Sequence, residues 1–396
     1  MNEFDDIRPY YDSEVPAAIA RLTKDPELLN LLLSRQFPVL SSIFSTLFFV
    51  VARPFLKHSL VRHSRDVVTV DGFQSHMTKR LLAVLERTTD SYHFSGLNNL
   101  DPDTAYLFMS NHRDIALDPA MICLGLTSVE RNTVRIAIGD NLLSKPFASD
   151  LMRINRSFIV KRSLSGRREK LSALKKLSRY IRHSLSQENI SIWIAQAEGR
   201  AKNGYDRTET ALLKMLSLSK DANDSFGEGI EELNIIPVAI SYEYDPCDSG
   251  KAGELHALSM GQAYAKDPFE DLESIQKGFL GYKGRIQVTF GTPITDQYDS
   301  ADSLAAEIDR QIHLNYQLFP TNIIAWEMQS KAQIGAELEL LKSQWPEENW
   351  ALAEQKFKTH ISAMPRDHRA IAIASYAAPV ESQLQYSSQQ EALRLA

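Results

Sequence analysis

The chain has 396 residues, of which 43% are hydrophobic and 24% are charged, a composition typical of a globular protein with room for two or three domains. Its formal net charge of −6 contains no domain-wide basic excess, so nucleic acid is not an expected partner. Its two cysteines, Cys123 and Cys247, lie far apart, which argues against a disulfide framework and against a zinc site.

Residues 1–100 are predicted to form a helical N-terminal region with no convincing strand. Apolar residues recur with helical spacing in ELLNLLLSRQF and HMTKRLLAVLERTT. The first residues, MNEFDDIRPYYD, are acidic and lack the basic-then-apolar order of a signal peptide, which predicts that the protein is not secreted.

Within this region, residues 37–56, FPVLSSIFSTLFFVVARPFL, are unusually apolar. The stretch from Gln36 to Ala52 carries no charge, and it is near the lower limit of roughly 17 residues for a membrane span. Three interpretations stay open: a buried core helix, a true span, and an interfacial or re-entrant membrane helix. The basic residues that follow favour the interfacial one: Lys57, Arg62, His63 and Arg65. That interpretation places the protein at the cytoplasmic face of a membrane as a peripheral or monotopic protein. If the segment does not attach to a membrane, the protein is expected in the cytoplasm.

Residues 101–300 alternate between strand-like and helix-like patterns. The strand-like runs are AYLFMS, VRIAIG, SFIVKR, ISIWIAQ, NIIPVAISYEY and RIQVTFG. The helical segments between them include PAMICLGLTSV, RREKLSALKKLSRYIRHSL and RTETALLKMLSLS. This alternation predicts an α/β domain with a mostly parallel, mixed sheet flanked by helices. Residues 301–396 return to a helical pattern and form a C-terminal region.

The stretch SNHRDIALDP, residues 110–119, follows the first of these strand-like runs. Asp118 and Pro119 resemble a helix start with aspartate as the N-cap, so His112 is predicted in a loop at the C-terminal end of a strand. Ligand sites of open α/β sheets gather at that edge. His-Arg-Asp also opens the catalytic loop of protein kinases, but Pro119 stands where that loop needs an asparagine. No Asp-Phe-Gly follows and no glycine-rich phosphate loop precedes, so the kinase hypothesis fails.

Three further motifs follow in order along the chain. SFIVKR ends in Arg162. ISIWIAQAEGR is a strand-like run followed by a predicted loop that contains Glu198, Gly199 and Arg200, and NIIPVAI contains Pro237. Together with the Asn-His of the first stretch they resemble the four blocks of the glycerol-3-phosphate and lysophosphatidate acyltransferase superfamily. The resemblance covers roughly residues 100–295.

The chain departs from that family's pattern in two places. The family spacing is His-x4-Asp, whereas five residues separate His112 from Asp118. Either Asp118 is the partner of the histidine and the loop has a one-residue bulge, or Asp114 takes that part; we favour Asp118. The third block also lacks the residue between Gly199 and Arg200 and the proline before Glu198.

The resemblance implies an O-acyltransferase of phospholipid biosynthesis. His112 would be the general base, with Asp118 behind the ring, and Arg162, Arg200, Glu198 and Gly199 would bind the phosphate of the acceptor. That acceptor would be glycerol-3-phosphate or lysophosphatidate, and the acyl donor would be acyl-CoA or acyl carrier protein as co-substrate. No metal or other cofactor is implied.

Two other functions stay open on the same fold. A thioester or ester hydrolase would use water in place of the glycerol hydroxyl, and a membrane-attached scaffold would be inactive. The basic helix RREKLSALKKLSRYIRH is either a solvated face or a surface for an acidic acyl carrier protein or anionic lipid.

Overall fold

A computed structural model describes residues 3–37, 45–143, 145–262, 264, 270–330 and 335–395. The helices in chain order are α1 (Val15–Leu22), α2 (Pro26–Gln36), α3 (Ser45–His63), α4 (Val70–Thr88), α5 (Leu117–Ser128), α6 (Pro146–Ile154), α7 (Arg167–Ser186), α8 (Thr210–Leu216), α9 (Phe226–Glu231), α10 (Asp248–Ser259), α11 (Glu270–Leu280), α12 (Ala301–Asn315), α13 (Pro320–Gln329), α14 (Gly335–Ser343), α15 (Trp350–Ser362) and α16 (Arg366–Leu395). The strands are β1 (Ser91–Ser95), β2 (Leu107–Ser110), β3 (Arg135–Gly139), β4 (Ser157–Val160), β5 (Ile192–Ala195), β6 (Ile235–Tyr242) and β7 (Arg285–Phe290).

The chain divides into two compact units. The first unit contains Met1–Leu82 and Val134–Tyr180, and the second contains Ala83–Thr133 and Ile181–Ala396. The domain boundaries expected near residues 100 and 300 stay a prediction.

The first unit combines helices with the parallel strand pair β3 and β4. Its helix α2 begins as its sequence predicts, because the Asp25 side chain accepts a hydrogen bond of 2.9 Å from the Leu28 amide and Pro26 occupies the first turn. Of the apolar segment 37–56, Phe37 is the C-cap of α2, residues 38–44 lie outside the described residues, and residues 45–56 belong to α3. Within the described ranges, no helix is both long and apolar enough to cross a membrane.

The second unit holds strands in the order β1-β7-β6-β2-β5. The β6–β7 pair is antiparallel, and the other pairs in this order are parallel. Every residue of β6 is buried, as expected for a central strand covered on both faces. Because β2, β5 and β6 are parallel, the loops that follow them leave the sheet at one edge, and that edge carries the site described below.

The mostly parallel, mixed sheet with flanking helices confirms the predicted fold class, and the N-terminal and C-terminal regions are largely helical as expected. The expectation of no strand before residue 100 was wrong, because β1 (Ser91–Ser95) pairs with β7. Only two of its residues carry large apolar side chains, Tyr92 and Phe94, so its pattern is weak.

Candidate active site

The loop after β2 is anchored by Asn111. Its side-chain oxygen accepts a hydrogen bond of 2.8 Å from the Ile240 amide, and its Nδ2 donates to the Ile240 carbonyl at 2.9 Å. The amide side chain thereby continues the pairing with β6 past the end of β2. Since Asn111 is fully buried, this pairing fixes the position of the backbone at the next residue, His112.

His112 Nδ1 lies 2.8 Å from Asp118 Oδ2. The same Oδ2 accepts hydrogen bonds from the backbone amides of Arg113 at 2.6 Å and Asp114 at 2.9 Å, and Oδ1 accepts one from the Tyr242 hydroxyl at 2.8 Å. Asp118 is fully buried, so these donors replace the water that its carboxylate has lost. The structure therefore pairs the histidine with Asp118 rather than with Asp114.

A tryptophan from the neighbouring strand β5 bounds the imidazole. The Trp193 ring meets the His112 ring edge to face, with centroids 5.6 Å apart. Its indole Nε1 donates to Ser110 Oγ at 2.9 Å, which fixes the orientation of the indole. The hydrogen bond to Asp118 on one side and the Trp193 ring on another restrict rotation of the imidazole.

Asp118 is not the N-cap of α5, contrary to the sequence-based expectation. The helix begins at Leu117, which makes Asp118 a residue of its first turn. The cap-like role belongs to Asp114, whose Oδ1 accepts from the amides of Ala116 at 3.0 Å and Leu117 at 2.8 Å. Asp118 is thus free to contact His112.

Burial and neighbouring charge shift the pKa of two groups at this loop, Asp114 and Tyr242. Burial raises the pKa of Asp114 to about 6, and the nearby charge of Asp118 adds to the shift. The pKa of Tyr242 lies well above its ordinary value because the phenol is buried, with the charge of Asp118 adding to the effect. Tyr242 therefore stays a hydrogen-bond donor to Asp118 throughout the neutral pH range.

The third predicted block lies beside the histidine loop. The amide of Ala201 donates to the His112 carbonyl at 2.9 Å, which ties the two loops together. Gly199 has a φ of 81°, a left-handed conformation that favours glycine, and nothing lies within 4 Å of the place where a Cβ would stand. Arg200 is half-buried; its Nη2 lies 3.3 Å from Ser274 Oγ, and its Nη1 has no hydrogen-bond partner among the described residues. Glu198 is exposed.

Arg162 belongs to the first unit and follows β4. Its backbone amide donates to Asp140 Oδ1 at 3.1 Å. The convergence of Arg162 and Arg200 on one phosphate stays a prediction, as do the binding roles of Glu198 and Gly199.

Sequence reasoning missed the residues that hold the loop from outside it. Tyr242 ends β6, 124 positions from the aspartate that it contacts. Arg113 points away from the histidine, because its buried guanidinium donates to Asp206 Oδ2 at 2.6 Å and to the Gly204 carbonyl at 3.1 Å. A sequence signal existed only for Asn111, the asparagine of the Asn-His motif. In the described part of the chain, no three His, Cys, Asp or Glu side chains come together as metal ligands.

A buried carboxylate behind a histidine at the edge of a sheet can support proton abstraction from a hydroxyl. Residues 91–241, which span this loop, match the model of the acyltransferase family. These residues are an acyltransferase domain. The superfamily resemblance predicted from the four blocks is therefore confirmed for these residues.

No curated protein matches the chain. A crystal structure of the 1-acyl-sn-glycerophosphate (LPA) acyltransferase PlsC from Thermotoga maritima is similar to it at 15% identity, over 72% of this chain and 94% of that one, with a TM-score of 0.34.

Proposed function

We propose that the protein transfers a fatty acyl group from a thioester to a hydroxyl of a glycerol-phosphate acceptor in phospholipid biosynthesis. The observation that carries this proposal is the contact of 2.8 Å between His112 Nδ1 and Asp118 inside an acyltransferase domain. The acceptor is glycerol-3-phosphate or lysophosphatidate, and the donor is acyl-CoA or acyl carrier protein.

The environment of Asp118 supports His112 as the general base. A carboxylate oxygen only accepts hydrogen bonds, so Nδ1 donates to it and the lone pair of the neutral ring lies on Nε2. His112 Nε2 has no hydrogen-bond partner among the described residues, and the side chain keeps 14% exposure, enough for contact with a ligand. The ring is thus oriented to accept a proton at Nε2.

The proposed reaction needs no acyl-enzyme. The acceptor oxygen attacks the thioester carbonyl while Nε2 of His112 takes the hydroxyl proton, and Asp118 stabilises the imidazolium. The C–S bond then breaks, and the leaving sulfur takes the proton from the imidazolium and departs as a free thiol. A thioester is already activated, so the histidine only has to improve a weak nucleophile.

The acceptor phosphate is assigned to arginines. Arg200 stands in a loop that is hydrogen-bonded to the histidine loop, and its Nη1 has no partner among the described residues. A guanidinium binds phosphate through two parallel N–H donors, so Arg200 suits this contact. We assign Arg162 to the same phosphate on the resemblance of its block.

We also propose that α3 attaches the protein to a membrane surface. Val50, Val51 and Phe55 on this helix are 61%, 56% and 75% exposed. Lys57 and Arg62 follow on the same helix and are exposed as well. Exposed apolar side chains next to cations are typical of helices that lie in the headgroup region of anionic bilayers.

The decisive experiment offers one labelled acyl thioester to glycerol-3-phosphate, lysophosphatidate and water in competition. Acylation of a phosphorylated acceptor is expected, and release of free acid alone would show a hydrolase. His112→Ala should abolish transfer with the fold intact, because Asp118 keeps its hydrogen bonds from the amides of Arg113 and Asp114 and from the Tyr242 hydroxyl. His93→Ala, which removes an exposed histidine on β1, is the matched control and should keep full turnover. Near-normal turnover in His112→Ala would refute the proposed base.

A further inference from the structure

A buried lysine from outside the matched acyltransferase residues contacts the loop between β2 and α5, which carries His112. Lys251, on α10, is 6% exposed, and its Nζ donates a hydrogen bond of 2.7 Å to the Arg113 carbonyl. Its ammonium also forms an ion pair with Asp245. The family match ends at residue 241, so both side chains come from the part of the chain that follows it.

The bonded carbonyl belongs to the peptide unit between Arg113 and Asp114. The N–H of that same peptide unit, on Asp114, donates to Asp118 Oδ2 at 2.9 Å. One planar group is therefore held at both ends, by Lys251 on its oxygen and by Asp118 on its nitrogen. Rotation of this peptide plane would withdraw an N–H from the oxygen that also contacts His112 Nδ1.

The ion pair by itself does not account for this arrangement. Burial of Asp245 opposes its ionisation, but the charge and hydrogen bond of Lys251, together with the Cys247 amide and the charge of Arg113, hold its pKa below the ordinary value. A second carboxylate partner would satisfy a buried ammonium more strongly than a neutral carbonyl does. Lys251 nevertheless donates to the loop backbone. A cavity of about 30 Å³ lies on this side of the loop, lined by Lys251, Asp245, Arg113 and Tyr376 among others, so the loop has space to relax when the bond is removed.

We propose that Lys251 is a positioning residue for acyl transfer: it fixes the Arg113–Asp114 peptide and, through Asp118, the orientation of His112. This inference rests on the proposed role of His112 as base. It makes α10, which follows the matched residues, part of the structure that shapes the active site.

The test separates the hydrogen bond from the ion pair. Lys251→Met alone would leave the charge of Asp245 buried and unpaired, which destabilises the whole fold. The informative comparison is therefore Asp245→Asn against the double variant Lys251→Met/Asp245→Asn. Asparagine keeps an oxygen for the Cys247 amide, which donates to Asp245 Oδ1 at 2.8 Å, so the two variants differ at the lysine alone. Asp245→Asn retains an ammonium without its carboxylate that can still donate to Arg113, whereas the double variant has neither that charge nor that bond. Lys342→Met, which breaks an ion pair with Glu327, is the control for loss of a lysine elsewhere and should leave turnover unchanged.

Amide hydrogen exchange, read by mass spectrometry on peptides covering residues 111–118, is the first readout. The Arg113 and Asp114 amides should exchange roughly tenfold faster or more in the double variant than in Asp245→Asn. Unchanged exchange would overturn the proposal. This readout needs no activity, so it still decides the matter if His112→Ala shows that the proposed base is wrong.

Steady-state kinetics are the second readout. Relative to Asp245→Asn, kcat of the double variant should fall roughly ten- to a hundredfold, while the KM values for thioester and acceptor change by less than about threefold. When Asp118→Asn is present in both proteins, adding Lys251→Met to Asp245→Asn should lower kcat by a much smaller factor, because the histidine is already misplaced. Faster exchange with unchanged kcat, a rise in KM alone, or full additivity with Asp118→Asn would each overturn the positioning role.

Discussion

Replacing Asp114 with asparagine should stabilise the protein at neutral pH. The side chain is 2% exposed, and its pKa is about 6 against an ordinary value of 3.8, so the folded state holds its charge unfavourably. Asparagine keeps an oxygen for the amides of Ala116 and Leu117, which donate to Asp114 Oδ1 in the native loop. The substitution therefore removes the charge and retains the cap.

The size of the effect follows from the pKa difference. The raised pKa means that the folded state binds the extra proton between about pH 4 and pH 6, so the contribution of Asp114 to stability is lost as pH rises through that window. A difference of about two pKa units corresponds to roughly 3 kcal/mol, which is an upper estimate because the loop can relax around the charge. Asp114→Asn should be more stable than the wild type by about 1–3 kcal/mol near pH 7 and equally stable below about pH 4.

The assay is urea unfolding of both proteins at several pH values between about 4 and 7, compared through the free energy of unfolding. The difference between them should grow with pH and level off above about pH 6. A variant less stable than the wild type at neutral pH, or an advantage that does not depend on pH, would refute the assignment of a strained buried charge to Asp114.

Other predictions concern chemistry and attachment. Asp118→Asn should lower kcat by several orders of magnitude, by analogy with ~10⁴ for the aspartate of a serine-protease triad, and Asp114→Asn should cost far less; the reverse ranking in steady-state kinetics would move the partner role to Asp114. Arg200→Ala should raise the acceptor KM roughly ten- to a hundredfold, and Arg200→Lys should raise it too because the forked geometry is lost. A change confined to the thioester KM would place Arg200 at the donor site instead. Serine at Val50, Val51 and Phe55 together should release the protein from anionic vesicles in a flotation assay, whereas a wild type that does not float would contradict attachment through α3.

Much of the fold was predictable because its signals are local. The runs AYLFMS, SFIVKR and NIIPVAISYEY are continuous apolar stretches, and each contains a strand, respectively β2, β4 and β6. The strand β1 escaped prediction because its short sequence, SYHFS, has little pattern of its own and is paired by residues that lie about two hundred positions away.

The candidate site was predictable in its residues but not in its supports. His112 and Asp118 stand in one short motif, so their pairing could be expected from sequence. Tyr242 and Lys251 reach the same loop from more than one hundred positions away, and no spacing rule connects them to it. Such contacts depend on which strand and which helix the fold places beside the loop, here β6 and α10.

The spacing of five residues between His112 and Asp118 has a physical explanation in the turn between them. The amides of Arg113 and Asp114 both point at Asp118 Oδ2, so the backbone curls around that oxygen before α5 begins. Asp114 then caps the helix, a role that local rules assign to Asp118 because proline follows it. If Asp118 capped its own helix, its carboxylate would be turned toward the helix amides and away from the imidazole. The longer spacing thus divides two tasks between two aspartates: Asp118 contacts the histidine, and Asp114, whose pKa burial raises to about 6, accepts from the amides at the start of α5.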